Sequence, residues 1–544
     1  MQPAPLAPPD AASSSRASSR TLGLAACIAL VMGNMIGSGV FLLPASLAPF
    51  GWDAVAGWIF TIAGSLVLAF VIARLTVAMP DASPSQMIAR AFGPLAGFAI
   101  GWTYWISLII TNVTIAVAAT ANLSSLLPVL ARPGIGALCS IGFLWLMTGI
   151  NLAGARAAGV AQIWTTAIKL IPIIVVLILL LLIVGSGRAE VAPFPPQGLT
   201  GAGITASAAL TLWALLGFES ASVAADKVRD PARTIPRATL IGTAATGLIY
   251  LIVCSGIALT LPAAQTQTGS PFGAFVSHYW SPGPASLVAM FVVVSCLGAL
   301  NGWTLLQGEV PLAMARGGEL PRWLAVTDAR GTPRRALILS TILASLMLVA
   351  NSLQGLVALF TMMALLATSA TLWLYVGFAL ASLRFRLVMP AAIIGLGYAL
   401  WTLWGAGVVA SGSSILLMLA GLPIYAWARR ERKALYPPRS VRAAIERSQD
   451  GVSRTISQHA RTERGWRTGA GNQSPHISLS LEKNPVDCGH SSPVSVSRKA
   501  SSNSRCLAVS FVGVSTSTWM TRSPRPRPLS TGMPAPRWRI CLPD

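Results

Sequence analysis

The feature that most constrains this chain is a recurrence of apolar runs long enough to cross a lipid bilayer. Leu170 to Val184 reads LIPIIVVLILLLLIV, and nearly every residue in it is Ile, Leu or Val. With its flanks the run reaches the roughly 20 residues that a spanning helix needs. Only 10% of the residues are charged and 54% are hydrophobic, whereas a soluble domain carries about 25% charged residues. Most of the chain therefore has no water-facing side to decorate. The sequence predicts an all-α membrane protein.

Apolar runs between polar breaks predict twelve transmembrane helices, at about 22–48, 55–78, 96–120, 134–154, 161–184, 204–225, 238–260, 285–308, 335–353, 356–379, 387–410 and 412–428. The cationic residues alternate between the loops in the same rhythm. With the N-terminus inside, the cytoplasmic side holds Arg16, Arg20, Arg90, Arg156, Lys227, Arg229, Arg233, Arg237, Arg316, Arg322, Arg330, Arg334, Arg335, Arg384 and Arg386. The opposite loops hold only Arg132 and Arg188. The positive-inside rule then asks for an even number of spans and two cytoplasmic termini. The expected setting is the inner membrane of a bacterial cell, as a multi-pass protein in contact with the lipid bilayer.

A formal charge of +22 raises the possibility of a nucleic-acid partner, so its distribution matters. Up to Ala428 there are 19 Lys and Arg against 10 Asp and Glu, and beyond it 20 against 7. The excess is concentrated in a Ser-, Pro- and Arg-rich tail, and the rest lies in short loops where it sets topology. No nucleic-acid partner is expected. Residues 1–20 and 429–544 are expected to be disordered and cytoplasmic, flanking a transporter domain at 21–428. The tail is read either as an arm touching anionic lipid, as a segment without a transport role, or as a misread end. The N-terminus lacks the cationic lead and cleavage box of a signal peptide, so the first span is expected to remain as an anchor. Cys27, Cys139, Cys254 and Cys296 lie in apolar spans, and no CxxC pair occurs. Neither a metal site nor a cofactor is expected.

Two spans are interrupted where a helix should be unbroken. In the first, Gly33-Asn34-Met35-Ile36-Gly37-Ser38-Gly39 precedes Val40-Phe41-Leu42-Leu43-Pro44. Each Gly lowers helix propensity by about 1 kcal/mol, and unwound backbone in lipid is tolerated only where protein or a water-filled cavity covers it. The amides freed at the start of the second half-helix favour an anion such as a carboxylate. A close packing face of small residues accounts for this stretch equally well. The sixth span, Thr211 to Ser222, carries Gly217 followed by Glu219. An ionisable group at that depth costs about 2.5–3.5 kcal/mol on insertion scales, so Glu219 should face a cavity or a partner. Breaks five spans apart fit two inverted five-helix repeats, spans 1–5 and 6–10, followed by two extra C-terminal spans. A substrate would then bind between the repeats.

At these residues the sequence resembles the amino acid–polyamine–organocation (APC) superfamily, in the basic amino acid/polyamine antiporter branch whose members exchange arginine for agmatine or lysine for cadaverine. The likeness covers about residues 20–430. It rests on Gly33 to Pro44, on Leu212-Trp213 through Ala221, on Asp230-Pro231-Ala232-Arg233-Thr234-Ile235-Pro236, and on Cys296 to Leu306. The resemblance implies that amides around Ser38 and Gly39, with the Ser38 hydroxyl, hold the substrate carboxylate. Carbonyls near Met35, Trp213 and Leu216 would take the α-amine. Asn34, Gly37 and Gly217 would complete this end of the site. Trp303 would stack on the substrate's cationic end, a contact worth about 0.5–2 kcal/mol. Asn112 would meet the distal guanidinium, with Ser107 and Leu108 nearby, and Tyr104 and Glu219 would form an inner gate. A homodimer is also implied.

The sequence departs from that branch in three places. Ile109 stands where the branch has a gating Trp, Leu365 falls where it has a Ser that bonds the guanidinium, and Lys169 occupies the fifth span. Proton-coupled members of the superfamily carry a Lys in that span. Lys169 is either proton-linked in the same way or a lysine snorkelling from a helix end. The expected function is exchange of an arginine-like amino acid for an agmatine-like amine by alternating access. The alternative is a proton-coupled permease of broader or neutral specificity. An intramembrane enzyme is disfavoured, because His278 is the one histidine before the tail and neither HExxH nor GxSxG occurs.

Overall fold

A computed structural model describes residues 23–435, apart from 81, 133, 155–164, 166–167 and 220–227, together with 477–480, 496–501 and 504–509 of the tail. Arg156, Lys227, the sixth-span residues Ser220 to Ser222, the N-terminal segment 1–20 and most of the tail lie outside the described residues. Each of the twelve apolar runs holds a helix. Among the described residues, seven helices are long and apolar enough to cross a membrane, and a bent pair in the first run makes up to eight. Leu170–Gly185, Gly201–Leu215 and Met389–Gly405 are shorter apolar helices, and the ninth run folds as Arg334–Ala350.

The first run divides into α1 (Leu24–Met35) and α2 (Gly39–Leu47), which meet at a bend of 46°. α3 (Trp52–Ala78) starts after Gly51, whose φ of 49° no other residue adopts freely. Asp53 in its first turn accepts from the Thr200 amide at 2.8 Å and the Thr200 hydroxyl at 2.6 Å. That contact pins the start of the second run to the start of the sixth. Between the second and third runs lies α4 (Pro84–Phe92), opened by a capping box in which Ser83 and Gln86 exchange backbone-to-side-chain bonds. Gly93 turns the chain into α5 (Pro94–Ser124).

α5 is the buried post of the molecule. Of its most apolar window, 94% is buried, against 17% for the window in Gly407–Glu431. α5 therefore carries small and polar side chains inward, including Ser107, Thr111, Asn112 and Thr114, all at most 2% exposed. α6 (Ile135–Leu152) and α7 (Leu170–Gly185) follow, and then α8 (Gly201–Leu215) and α9 (Pro231–Thr260). A short helix, α10 (Pro271–Tyr279), leads into the 35-residue α11 (Pro282–Arg316). α12 (Arg334–Ala350) and α13 (Leu356–Arg384) complete the ten runs that surround the breaks.

Packing divides these helices into two groups. The broken first and sixth runs pack with α3 and α9, α1 lying against α9 and α8 against α3. α5, α6, α11 and α12 pack among themselves, and α13 lies along α5. Hydroxyls tie helices together where no loop does: Thr61 meets Thr211 at 2.7 Å, and Thr148 meets Thr341 at 2.7 Å. Such hydrogen bonds supply glue that apolar contact alone does not give in lipid. α14 (Met389–Gly405), α15 (Gly407–Ala420) and α16 (Leu422–Leu435) follow. α16 carries helical structure beyond Ala428, where the apolar composition ends. The chain divides into compact units at Tyr436/Pro437. In the second unit, where the sequence predicts disorder, three short strands pair in the order β1 (Ile477–Ser480), β3 (Ser504–Val509), β2 (Val496–Ser501).

Candidate functional site

The first break is built by its sequence. Ile36 leaves the helix at ψ 96°, and Ser38 stands at the N-cap of α2 without making a capping bond. The first amides of a helix have no partner within it, and their dipole end favours negative charge. The Ser38 hydroxyl is buried and has no hydrogen-bond partner. Gly39 is required by proximity, since a Cβ there would lie 2.8 Å from Ala214 Cα. Two broken spans are thereby brought backbone against backbone.

In the sixth run, α8 ends at Leu215, Leu216 turns to ψ 141°, and Gly217 takes φ 108°. Only glycine adopts that angle without strain. The turn brings Glu219 back over its own break, where it collects three donors. The Gly217 amide donates to Oε2 at 3.2 Å, Tyr375 donates to Oε2 at 3.1 Å, and Tyr104 donates to Oε1 at 3.3 Å. A carboxylate is an acceptor only, and each of these three groups donates to it. Glu219 thus clasps the third, sixth and tenth runs.

Between the breaks lies a cavity of about 20 Å³ lined by Asn34, Met35, Gly37, Ser38, Gly39, Thr111, Trp213, Ala214, Leu216 and Trp303. This is about the space of a single water molecule, too small as it stands for an amino acid. Eight of these ten residues are among those predicted, and Thr111 and Ala214 are the additions. Ser107, Leu108, Asn112 and Gly217 do not line it. The Ser107 hydroxyl is turned onto its own helix and donates to the Tyr104 carbonyl at 2.7 Å. Asn112 donates its amide to Gln307 Oε1 at 2.7 Å. The Met35 carbonyl, predicted for an α-amine, accepts the Tyr250 hydroxyl at 3.0 Å. Leu365 lines a separate, larger and mostly apolar cavity of about 980 Å³ with Ser46 and Thr361.

Lys169 is 1% exposed and its ammonium donates to the Gly33 carbonyl. It is buried against the start of the first break and does not snorkel. Trp213 stands edge-on to Phe360 with ring centroids 6.4 Å apart, and its indole N–H is buried without a partner. Among the described residues, no group of three His, Cys, Asp or Glu could hold a metal ion.

Sequence reasoning missed Tyr375, Tyr250 and Gln307. All three are polar groups within apolar helices, and a buried hydroxyl or amide in lipid must find a partner. That signal was available in the sequence, but it names no partner.

A helical membrane unit with a small cavity between two interrupted helices has the build of a secondary transporter. Comparison with known proteins carries this to the family. The amino acid permease family model matches residues 22–445, and the chain belongs to that family, within the APC superfamily and among its basic amino acid/polyamine antiporters. The cadaverine/lysine antiporter of Escherichia coli (strain K12) is 30% identical over 438 residues, covering 77% of this chain and 97% of that protein. The putrescine transporter PotE of Haemophilus influenzae is 29% identical over 427 residues, covering 75% of this chain and 97% of that protein. Among solved structures, Mhp1, a nucleobase-cation-symport-1 family transporter in a closed conformation with bromovinylhydantoin bound, aligns with a TM-score of 0.47. Its identity is 14%, over 76% of this chain and 94% of that one. The chain is a transporter and not an enzyme.

Proposed function

We propose that this protein exchanges a cationic amino acid for its decarboxylated amine across the bacterial inner membrane, with an arginine-like and an agmatine-like molecule as the pair. The observation that carries this reading is the buried, unpartnered Ser38 hydroxyl at the N-terminus of α2, facing a cavity walled by Trp213 and Trp303. Amides and hydroxyl would receive the carboxylate, and carbonyls of the breaks would receive the α-amine. The Trp303 ring would stack on the cationic end. The kinship to lysine/cadaverine and putrescine transporters supports a cation with an amine counterpart.

Alternating access follows from moving the broken pair and its partners against the second group of helices. Glu219, held by Tyr104 and Tyr375, would gate the inner side. The packing of α1 on α9 and of α8 on α3 is what exchange of two inverted repeats would produce, and twelve spans with both termini cytoplasmic belong to the same reading. A homodimer in the lipid bilayer belongs to the same reading.

A second reading, a proton-coupled permease of broader specificity, is favoured by one observation, the Lys169 ammonium buried against Gly33. It would couple the fifth span to the first break. Uptake of labelled arginine into proteoliposomes separates the two. Uptake that requires internal agmatine or arginine supports exchange. Accumulation in empty vesicles under a pH gradient, lost in Lys169→Ala, overturns exchange in favour of symport.

A further inference from the structure

Where the chain leaves its last apolar run, three segments distant in sequence are held together. α16 is fastened to α5 along one face: the Tyr425 ring lies 4.8 Å from that of Phe98, and Ala428 is buried. Further along α16, Glu431 accepts the amide of Arg322 at 3.3 Å. Arg322 opens a single helical turn, Arg322–Leu324, which lies against α11 and α12 and is anchored by the buried Leu320 and Leu324. From the first turn of α12, Arg335 donates to the Trp323 carbonyl at 3.1 Å.

What these contacts leave outward is cationic and aromatic. Arg322, Trp323, Arg335, Trp427, Arg429 and Arg430 are all exposed, and Trp427 and Arg430 share a face of α16 at i, i+3 spacing. The carboxylates of this region are engaged elsewhere. Glu431 takes the Arg322 amide, Asp328 takes the amides of Arg330 and Thr332 at 2.9 Å each, and Glu319 is turned to Ser85. Among the described residues, no carboxylate pairs with the guanidinium of Arg322, Arg335, Arg429 or Arg430. The planar fork of an arginine matches the oxygens of a phosphate. Tryptophan is enriched at the depth where lipid headgroups begin. Gly407–Glu431 is long and apolar enough to cross a membrane, which puts Trp427 and the two arginines after it at one end of that span. A soluble anion would use the arginines alone, whereas a lipid uses both residue types.

We propose that the Arg322–Leu324 turn, the start of α12 and α16 together form a binding site for the headgroup of an anionic phospholipid. The phosphate sits among Arg322, Arg335 and Arg430, and the acyl chains descend beside Trp323 and Trp427. The lipid thereby ties the loop between α11 and α12 to the last helix and reinforces the bond that Glu431 makes. The site is independent of which substrate the transporter carries.

The test is to titrate the purified protein, in a neutral detergent, with phosphatidylglycerol or with phosphatidylcholine of the same acyl chains. Bound lipid is read by native mass spectrometry, which counts it on the folded species, and the melting temperature is followed in parallel. Phosphatidylglycerol should bind and raise the melting temperature, and phosphatidylcholine should do neither. Added salt should weaken the binding in wild type. In Arg322→Gln/Arg430→Gln the affinity for phosphatidylglycerol should fall about fivefold for each guanidinium removed. Arg132→Gln, beyond the opposite end of α5, removes a charge elsewhere and should bind as wild type does. Equal binding of the two lipids, insensitivity to salt, unchanged affinity in the double variant, or an equal loss in Arg132→Gln would overturn the site. Soluble glycerol phosphate that binds as tightly as the lipid would overturn it too, in favour of a site for free phosphate.

Discussion

The two broken spans solve the same problem in opposite ways. Both interrupt a helix at a depth where a free amide or carbonyl is costly, and both rely on glycine for it. The sixth-run break is filled by its own chain, since Glu219 returns to take the Gly217 amide and two tyrosine hydroxyls. The first-run break is not filled in this way. Its carbonyls find Tyr250 and Lys169, but the Ser38 hydroxyl stays unpartnered at the start of α2. In the proposed cycle the break held by its own carboxylate would act as a latch, and the break with the unpartnered Ser38 would receive the substrate carboxylate.

The harshest way to break this comparison is to prevent the two breaks from touching. In Gly39→Ala the new methyl would stand 2.8 Å from Ala214 Cα and 3.0 Å from its Cβ. Backbone on the far side cannot swing away, and overpacking of this kind costs about 1–3 kcal/mol. Exchange in proteoliposomes should fall below detection. Gly37→Ala meets only the Ala299 methyl at 3.0 Å and should retain part of its rate. Wild-type exchange in Gly39→Ala would mean that the closed contact is not part of the cycle.

Glu219→Gln probes the latch. A glutamine keeps one acceptor but turns an NH2 toward hydroxyls that now donate, so the clasp between α5 and α13 should loosen without collapse of the fold. The expected result is transport whose dependence on pH is flattened or lost, at a rate about tenfold lower than wild type. Unchanged pH dependence would remove Glu219 from the gate.

Ser38→Ala probes the receptor, and its effect should be selective. The hydroxyl is assigned to a carboxylate, and a decarboxylated amine has none. Loss of one hydrogen bond to a charged group should raise KM for the amino acid about fivefold and leave KM for the amine unchanged. Equal effects on both would detach Ser38 from the carboxylate.

How far the sequence reaches depends on what each residue needs in order to be recognised. The break at Gly37-Ser38-Gly39 was legible because glycine clusters in lipid are costly and therefore informative. Residue types alone could not separate a receptor from a packing face. In the structure Gly39 packs on Ala214, beside the unpartnered Ser38. The partners of Glu219 were half legible. Tyr104 came from the resemblance, but Tyr375 lies 156 residues away on a helix whose contacts only the fold decides. Lys169 was ambiguous because depth along a helix does not reveal what covers a side chain, and the Gly33 carbonyl resolves its position. Asn112 was found as a residue, but its bond to Gln307 on another helix was not.

The smallest expected effect separates gating from ordinary burial. Glu319 follows α11 in the loop at its end, half-buried, with Ser85 donating to Oε1 at 3.3 Å and Oε2 unpartnered. Burial raises its carboxyl above the usual carboxylate range, and the Ser85 bond offsets this only in part. A raised folded-state value means that this group contributes stability below its unfolded value, and that the contribution is lost as pH rises through the folded one. Glu319→Gln, which never ionises, should therefore melt about a degree higher than wild type at neutral pH, the size being limited by solvent screening. The difference should fade as pH falls into the usual carboxylate range. Its transport should keep the wild-type pH profile, which Glu219→Gln loses. A flattened transport profile in Glu319→Gln would show that pH acts on the loop after α11, and Glu219 would then be a structural clasp.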